Sequence, residues 1–330
     1  MTGPARQGVV FSDPELEAAI RGGLDQVEVL LRESVKSNYP FVTETSRHLV
    51  DAGGKRFRPL VVLLASQFGD PGSAAVVPAA VAIELTHLST LYHDDVMDEA
   101  VLRRGAVSAN SRWDNTVAIL TGDFLFARAS EITADLGTEA TRILAQTIAV
   151  LCEGQIRETV GVPPGGDAVE HYLQVVAEKT GSLIATSGRL GALLAGASAP
   201  AVDALTRFGS VIGVAFQLSD DLLDVASEAG QSGKTPGTDL REGIHTLPVL
   251  YALRDEPDGR LATLVQGDLS VPEAHREALG LLRGHPSMAQ ARETLATYAA
   301  DAKSAVSELP VGPPRDALEV LADFVVARTG

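Results

Sequence analysis

Two short stretches each hold three carboxylates within five residues. They are Asp94, Asp95 and Asp98 in DDVMD, and Asp220, Asp221 and Asp224 in DDLLD. Both lie inside apolar sequence. On a helix, residues four apart are neighbours on one face. Asp94 and Asp98 then point one way, as do Asp220 and Asp224. Like charges at that spacing cost a bare helix roughly 0.2–0.5 kcal/mol per pair. A cation between them would remove that cost. Hard carboxylate oxygens at a site with open positions suit Mg²⁺, which keeps several waters and is completed by substrate phosphates. An acidic run can also be no more than a solvated helix face. Two copies, each in an apolar run, favour the cation.

Basic residues flank these clusters. In GGKRFRP, Lys55, Arg56 and Arg58 follow Gly53-Gly54. Glycines there let backbone approach a ligand closely. Equally, basic residues at a helix C-terminus neutralise its dipole. His87 lies seven residues before Asp94, two turns down the same face, as a core histidine or as part of a site. In LRRG, Arg103 and Arg104 follow the first cluster. They are surface ion pairs, or a clamp whose planar forks match phosphate oxygens. EKTGSLIATSGRLGALLAG is rich in small residues, which pack helices closely or leave room for a ligand. Lys179-Thr180 is its donating pair. Gln217 precedes Asp221 by one helical turn. Lys234, between Gly233 and Thr235, reads as a mobile donor able to close over an anion.

These groups need rigid elements to carry them. The chain has 330 residues, enough for one large domain or two ordinary ones, and 45% are hydrophobic. Ala-, Leu- and Val-rich stretches predict a mostly helical chain. SDPE at Ser12 to Glu15 reads as a capping box. The helix it opens carries Leu16, Ile20, Leu24, Val27 and Leu31, and Tyr39-Pro40 stops it. A long helix is expected from about Val76 to Met97, ending in the first cluster. Others run from about Asn115 to Ala134 and from about Glu139 to Val160, and one from about Val202 ends in the second cluster. No strand alternation is sustained. Residues 1–11 read as a loosely docked tail, and 12–330 as one domain.

Composition excludes several classes. A formal charge of −16 argues against nucleic acid and anionic membrane surfaces as partners. No uninterrupted apolar run reaches the ~18 residues of a membrane span, and the N-terminus lacks a signal-peptide core. Cys152 is the only cysteine. It allows no intrachain disulfide, fits a cytoplasmic protein, and is expected in the core. Neither GxGxxG nor GxxxxGK[ST] is present to hold a nucleotide.

In order along the chain, GGKRFRP, ELTHLSTLYHDDVMDE, LRRG, GDFLFARA, EKTGSL, FQLSDDLLD and GKTPGTDLREG…TLP resemble the motifs of trans-type polyprenyl diphosphate synthases, of the bacterial long-chain type. The resemblance spans nearly everything from residue 12. It implies an all-α isoprenoid-synthase helical bundle around a deep central cavity, usually a homodimer. It implies elongation of an allylic diphosphate with isopentenyl diphosphate. Asp94 and Asp98 would bind two Mg²⁺ ions and Asp220 a third, with Asp95, Asp221 and Asp224 supporting. Arg103, Lys179, Gln217 and Lys234, with Thr180 beside Lys179, would grip the allylic diphosphate. Lys55, Arg58, His87 and Arg104 would hold that of isopentenyl diphosphate. One departure is EGIHT, where Ile244 replaces a common basic residue and His245 follows.

Product length is expected to follow from Ser89 and Thr90, the fifth and fourth residues before Asp94. Short-product relatives often place aromatics there. Helix geometry at ~100° per residue sets Thr90 beneath Asp94 and turns Ser89 away, while the resemblance implicates both. Two small side chains predict an octaprenyl to decaprenyl product. The alternatives are a geranylgeranyl or farnesyl diphosphate synthase, a class I terpene cyclase, and a non-catalytic subunit of a heteromeric synthase. A cyclase binds one diphosphate and would leave Lys55, Arg58, His87 and Arg104 idle. Non-catalytic subunits tend to lose their carboxylates, and both clusters are complete here.

Overall fold

The first helix starts one residue later than SDPE suggests. Asp13, not Ser12, is its cap, and its carboxylate accepts the Leu16 N–H at 2.7 Å. Such a cap contributes about 1 kcal/mol. A computed structural model describes residues 11–227 and 236–328. In order, the helices are α1 (Pro14–Ser34), α2 (Pro40–Asp51), α3 (Phe57–Ser66) and α4 (Val76–Met97). A small ribbon follows, β1 (Leu102–Arg103) with β2 (Ala106–Val107). Next come α5 (Ala109–Arg112), α6 (Asn115–Leu136), α7 (Thr138–Val160), α8 (Ala168–Val176), α9 (Ser182–Leu194) and α10 (Ala199–Ala226). The rest are α11 (Thr238–Arg241), α12 (Leu247–Asp255), α13 (Arg260–Val265), α14 (Pro272–Gly284), α15 (Pro286–Val306) and α16 (Pro313–Ala327). The fold class is all-α, as expected.

The chain divides into two compact units. One comprises Met1–Ala149, Leu183–Gly209 and Glu308–Leu318; the other comprises Val150–Ser182, Ser210–Ser307 and Glu319–Gly330. Residues 1–10, most of the expected tail, lie outside the described residues.

In the first unit α4 packs most extensively against α6, with α3 and α1 also on it. Its apolar residues Val81, Ile83, Leu85 and Leu88 are fully buried. Tyr92 ties α4 to α2: its hydroxyl donates to the Thr45 carbonyl at 2.5 Å and accepts the Leu49 N–H at 3.3 Å. The small residues of α9 resolve toward close packing. A Cβ at Gly188 would stand 2.3 Å from the Leu205 carbonyl oxygen, and one at Gly191 2.3 Å from that of Val62. At the junction after the ribbon, Trp113 meets His48 edge-on at 5.2 Å, and the Arg112 guanidinium lies 4.6 Å above the indole.

Two expectations fail. Cys152 is exposed, not core. The outward face of α7 is itself partly apolar there, with Ile156 and Val160 exposed beside it. And LRRG forms a strand pair where none was expected. Leu102 pairs with Val107 and Arg103 with Ala106, closed by the two-residue turn Arg104-Gly105. Both turn residues have positive φ, 55° and 76°, the geometry that suits the twist of a tight hairpin.

In the second unit α12 packs on α15 and α8, and α13 on α14. Ala177–Gly181, holding Lys179 and Thr180, is a single π-helical turn between α8 and α9. Such turns mark functional stretches of helices. Among the described residues α10 alone is long and apolar enough to cross a membrane, and 61% of that window is buried.

Candidate active site

In the first unit the acidic cluster sits where α4 ends. Asp94 is half-buried, Asp98 is exposed at the helix C-cap, and Asp95 faces inward with no exposed surface. The hairpin aims its first arginine at this cluster. Arg103 Nε donates to Asp95 Oδ1 at 2.5 Å, and its Nη2 lies 3.7 Å from Asp98. Burial pushes the Asp95 pKa up despite Arg103. Asp95 Oδ2 is buried without a hydrogen-bond partner, which suits an acceptor waiting for a cation.

The second hairpin arginine turns the other way. Arg104 donates to the Gly53 carbonyl, and to that of Leu49 at 3.3 Å, and lies 3.8 Å from Glu84. Gly54 makes this possible. A Cβ there would stand 2.8 Å from the Arg104 guanidinium carbon. Gly54 therefore serves this seat, which the sequence did not reveal. Arg56 is structural. It starts α3 in the left-handed region (φ 49°) and bonds Glu28 at 2.6 Å and Glu84 at 2.8 Å. Glu84, a lone carboxylate in an apolar run, was the available signal for this buried network. Removing one partner from such a cluster costs about 3–5 kcal/mol, because the other charge stays buried.

Lys55 is exposed and Arg58 half-buried, flanking Arg56. His87 is half-buried, and its pKa lies well below 6.5. Burial is the largest cause, followed by the guanidiniums of Arg58, Arg104, Arg56 and Arg103. The structure thus brings His87 into the field of the arginines predicted to hold an anion. The unfolded chain takes up this proton first, so stability is full above about pH 6.5 and falls as pH drops below it. Urea unfolding across that range should show the slope in wild type and a reduced slope in His87→Gln; equal slopes would refute it. Thr90 is half-buried and donates to the His87 carbonyl at 2.8 Å. Ser89 is 4% exposed, so the two small residues do face differently.

In the second unit Asp221 is the buried member of its cluster. It accepts hydrogen bonds from the Tyr172 hydroxyl and, at 2.8 Å, from Gln217 Nε2. Burial pushes its pKa up to about 7. Gln217 Oε1 in turn accepts from the Thr180 hydroxyl at 3.2 Å, so these two predicted residues do meet. Asp224 anchors the next element: its carboxylate accepts the Thr238 and Asp239 N–H groups at 3.2 and 3.1 Å. Asp220 pairs with Arg328, whose guanidinium lies 5.0 Å from the Phe216 ring centre. Lys179 pairs with Glu158. Its buried neighbour Glu178 is held by Arg157 at 2.9 Å and Gln174 at 2.5 Å. His245 and Ile244 are exposed. Lys234 lies outside the described residues. Tyr172 and Arg328 are contacts that sequence reasoning missed.

These donors fit a hard divalent cation. No three His, Cys, Asp or Glu side chains converge on one metal position among the described residues. What favours a hard cation is the oxygen chemistry of the clusters and the unpartnered Asp95 Oδ2.

The family described as polyprenyl synthetase matches residues 39–282. A nonaprenyl diphosphate synthase of Mycobacterium tuberculosis is 51% identical over 98% of this chain and 97% of its own. A geranylgeranyl pyrophosphate synthase of Corynebacterium glutamicum, solved with calcium and isoprenyl diphosphate, superposes with TM-score 0.87. It is 46% identical, over 98% of this chain and all of that one. A Caulobacter crescentus polyprenyl synthase, solved with the same two ligands, superposes at 0.88. There the identity is 33%, over 98% and 100% of the two chains.

Proposed function

The chain belongs to the polyprenyl synthetase family and is a trans-polyprenyl diphosphate synthase, and from that premise we propose that it adds isopentenyl diphosphate repeatedly to an allylic diphosphate to give an octaprenyl to decaprenyl product. One observation carries the two-substrate reading. Arg58 and Arg104 act on a neutral His87, two turns below Asp94 on the same helix. We read this group as a second anion subsite beside the carboxylates, one that a cyclase with one diphosphate would not need.

In this reading Asp94, Asp98 and Asp220 hold Mg²⁺, with Asp95, Asp221 and Asp224 supporting. When bound, the metal supplies Lewis-acid stabilisation of charge on the departing diphosphate. Arg103, Lys179, Gln217 and Lys234, with Thr180 beside Lys179, add donors for the same charge. Lys55, Arg58, His87 and Arg104 fix isopentenyl diphosphate so that its double bond faces the allylic cation, a positioning task. The released diphosphate takes the final proton. The working unit is a single domain and a cytoplasmic homodimer; the exposed Ile119, Leu120 and Phe126 of α6 support the pairing.

The deciding experiment incubates the purified chain with Mg²⁺, isopentenyl diphosphate and each allylic primer, then separates the dephosphorylated products. Failure to consume isopentenyl diphosphate would favour a cyclase or an inactive subunit. A second measurement divides the basic residues. Arg58→Ala and His87→Ala should mainly raise KM for isopentenyl diphosphate, and Lys179→Ala should mainly impair use of the allylic substrate. A lost charge-assisted hydrogen bond is worth roughly 1.5–3 kcal/mol, or about ten- to a hundredfold. Identical profiles would show the division to be wrong.

A further inference from the structure

We propose that the second unit carries an additional anion site, which binds a diphosphate group between Arg241 of α11 and Arg276 and Arg283 of α14. These residues line a cleft of about 460 Å³ with His275, Ser270 and Leu279. That volume is within the range of small-molecule sites. None of the three arginines belongs to the groups assigned to catalysis.

Charge makes the cleft unusual. The chain carries 43 acidic residues against 27 basic ones, so an arginine readily finds a carboxylate. Arg56 pairs with Glu28 and Glu84, Arg103 with Asp95, Arg157 with Glu178, and Arg260 with Glu277. Arg241, Arg276 and Arg283 have no carboxylate partner among the described residues, yet they converge on one cleft. Arg276 and Arg283 are seven residues apart, two turns along one helix face. Three exposed arginines at the edge of one cleft concentrate positive charge that an anion would offset. A diphosphate answers that charge better than a single carboxylate, and its oxygens match the planar fork.

Part of the cleft is already oriented. Arg283 Nε donates to the Val225 carbonyl at 2.7 Å and its Nη2 to that of Ser227 at 2.5 Å. His275 Nε2 donates to the Gly237 carbonyl at 2.8 Å. Those carbonyls border the second acidic cluster, because the Gly237 N–H bonds the Asp224 carbonyl at 2.8 Å. The cleft therefore shares backbone contacts with the segment that holds Asp224. The binding site itself does not depend on the catalytic reading.

The test is calorimetric titration of the full chain with inorganic diphosphate in the presence of EDTA. Wild type is compared with Arg241→Ala/Arg276→Ala, and with Arg58→Ala to mark the other basic subsite. Arg241 and Arg276 are exposed, so the double variant should keep the wild-type melting temperature. It should lose one binding event, or weaken it by about tenfold or more, while Arg58→Ala retains that event. Isopentenyl diphosphate should reproduce the same event in EDTA. An unchanged isotherm in the double variant would overturn the proposal. So would equal affinity for inorganic phosphate, or binding only to phosphatidylglycerol vesicles and not to soluble diphosphate.

Discussion

Replacing Asp94 or Asp220 with alanine is expected to reduce turnover by a hundredfold or more while leaving the protein folded. Asp94 is half-buried at the end of α4, and Asp220 is half-buried with its charge on Arg328. Neither side chain fills the core, so truncation leaves no large cavity. What is lost is an oxygen ligand for the ion that stabilises the leaving diphosphate. Removing one preorganised stabiliser of a transition state typically costs ~10²–10³ in rate. Asp95 and Asp221 are different. Both are buried and hydrogen-bonded, so their loss mixes structural damage with catalytic damage. Steady-state rates alongside melting temperatures separate the two classes. Near-normal turnover in Asp94→Ala or Asp220→Ala, or full activity in excess chelator, would remove the carboxylates from the mechanism.

The second large effect concerns product length. Ser89→Phe, alone or with Thr90→Phe, should shorten the product sharply and spare the first condensation. A helix rises 1.5 Å per residue, so these positions lie roughly 6–8 Å below the first carboxylate along α4. A tail growing from the metal end must pass that turn within its first units. Thr90 is the more accessible of the pair and Ser89 is buried. Phe at 90 should therefore act as a plug, and Phe at 89 should act by pushing on its neighbours. Chromatography of dephosphorylated products gives the readout. A wild-type product no longer than geranylgeranyl would defeat the small-floor argument. Active Phe variants with unchanged products would show that the tail takes another route.

Much of this arrangement was legible in the sequence because it is local. The acidic clusters fall at the ends of two helices whose apolar runs are long enough to read. Gln217 and Asp221 do share a face, as one-turn spacing requires. What escaped notice is set by distance along the chain. Tyr172 reaches Asp221 across 49 residues and Arg328 reaches Asp220 across 108; no periodicity encodes such pairs. The hairpin escaped because two-residue strands show no alternation, and Arg104-Gly105 lacks the usual Asn-Gly signature. The apolar run around Cys152 predicts burial, whereas α7 turns part of its apolar surface outward. The glycines of GGKRFRP were ambiguous until Arg104 was seen seated against Gly54.

The setting of Trp113 has a spectroscopic consequence. It is the only tryptophan in the chain, so all indole fluorescence comes from one point. That point directly follows α5, which the ribbon bearing Arg103 and Arg104 leads into. The ring is bracketed by the Arg112 guanidinium and by His48, whose Nε2 bonds the Val107 carbonyl of the ribbon at 2.7 Å. Any shift of the ribbon when its arginines engage an anion changes the polarity and quenching around the indole. The protein thus carries its own optical label against the ribbon that bears Arg103, and anion binding at the ribbon can be followed without attaching a dye.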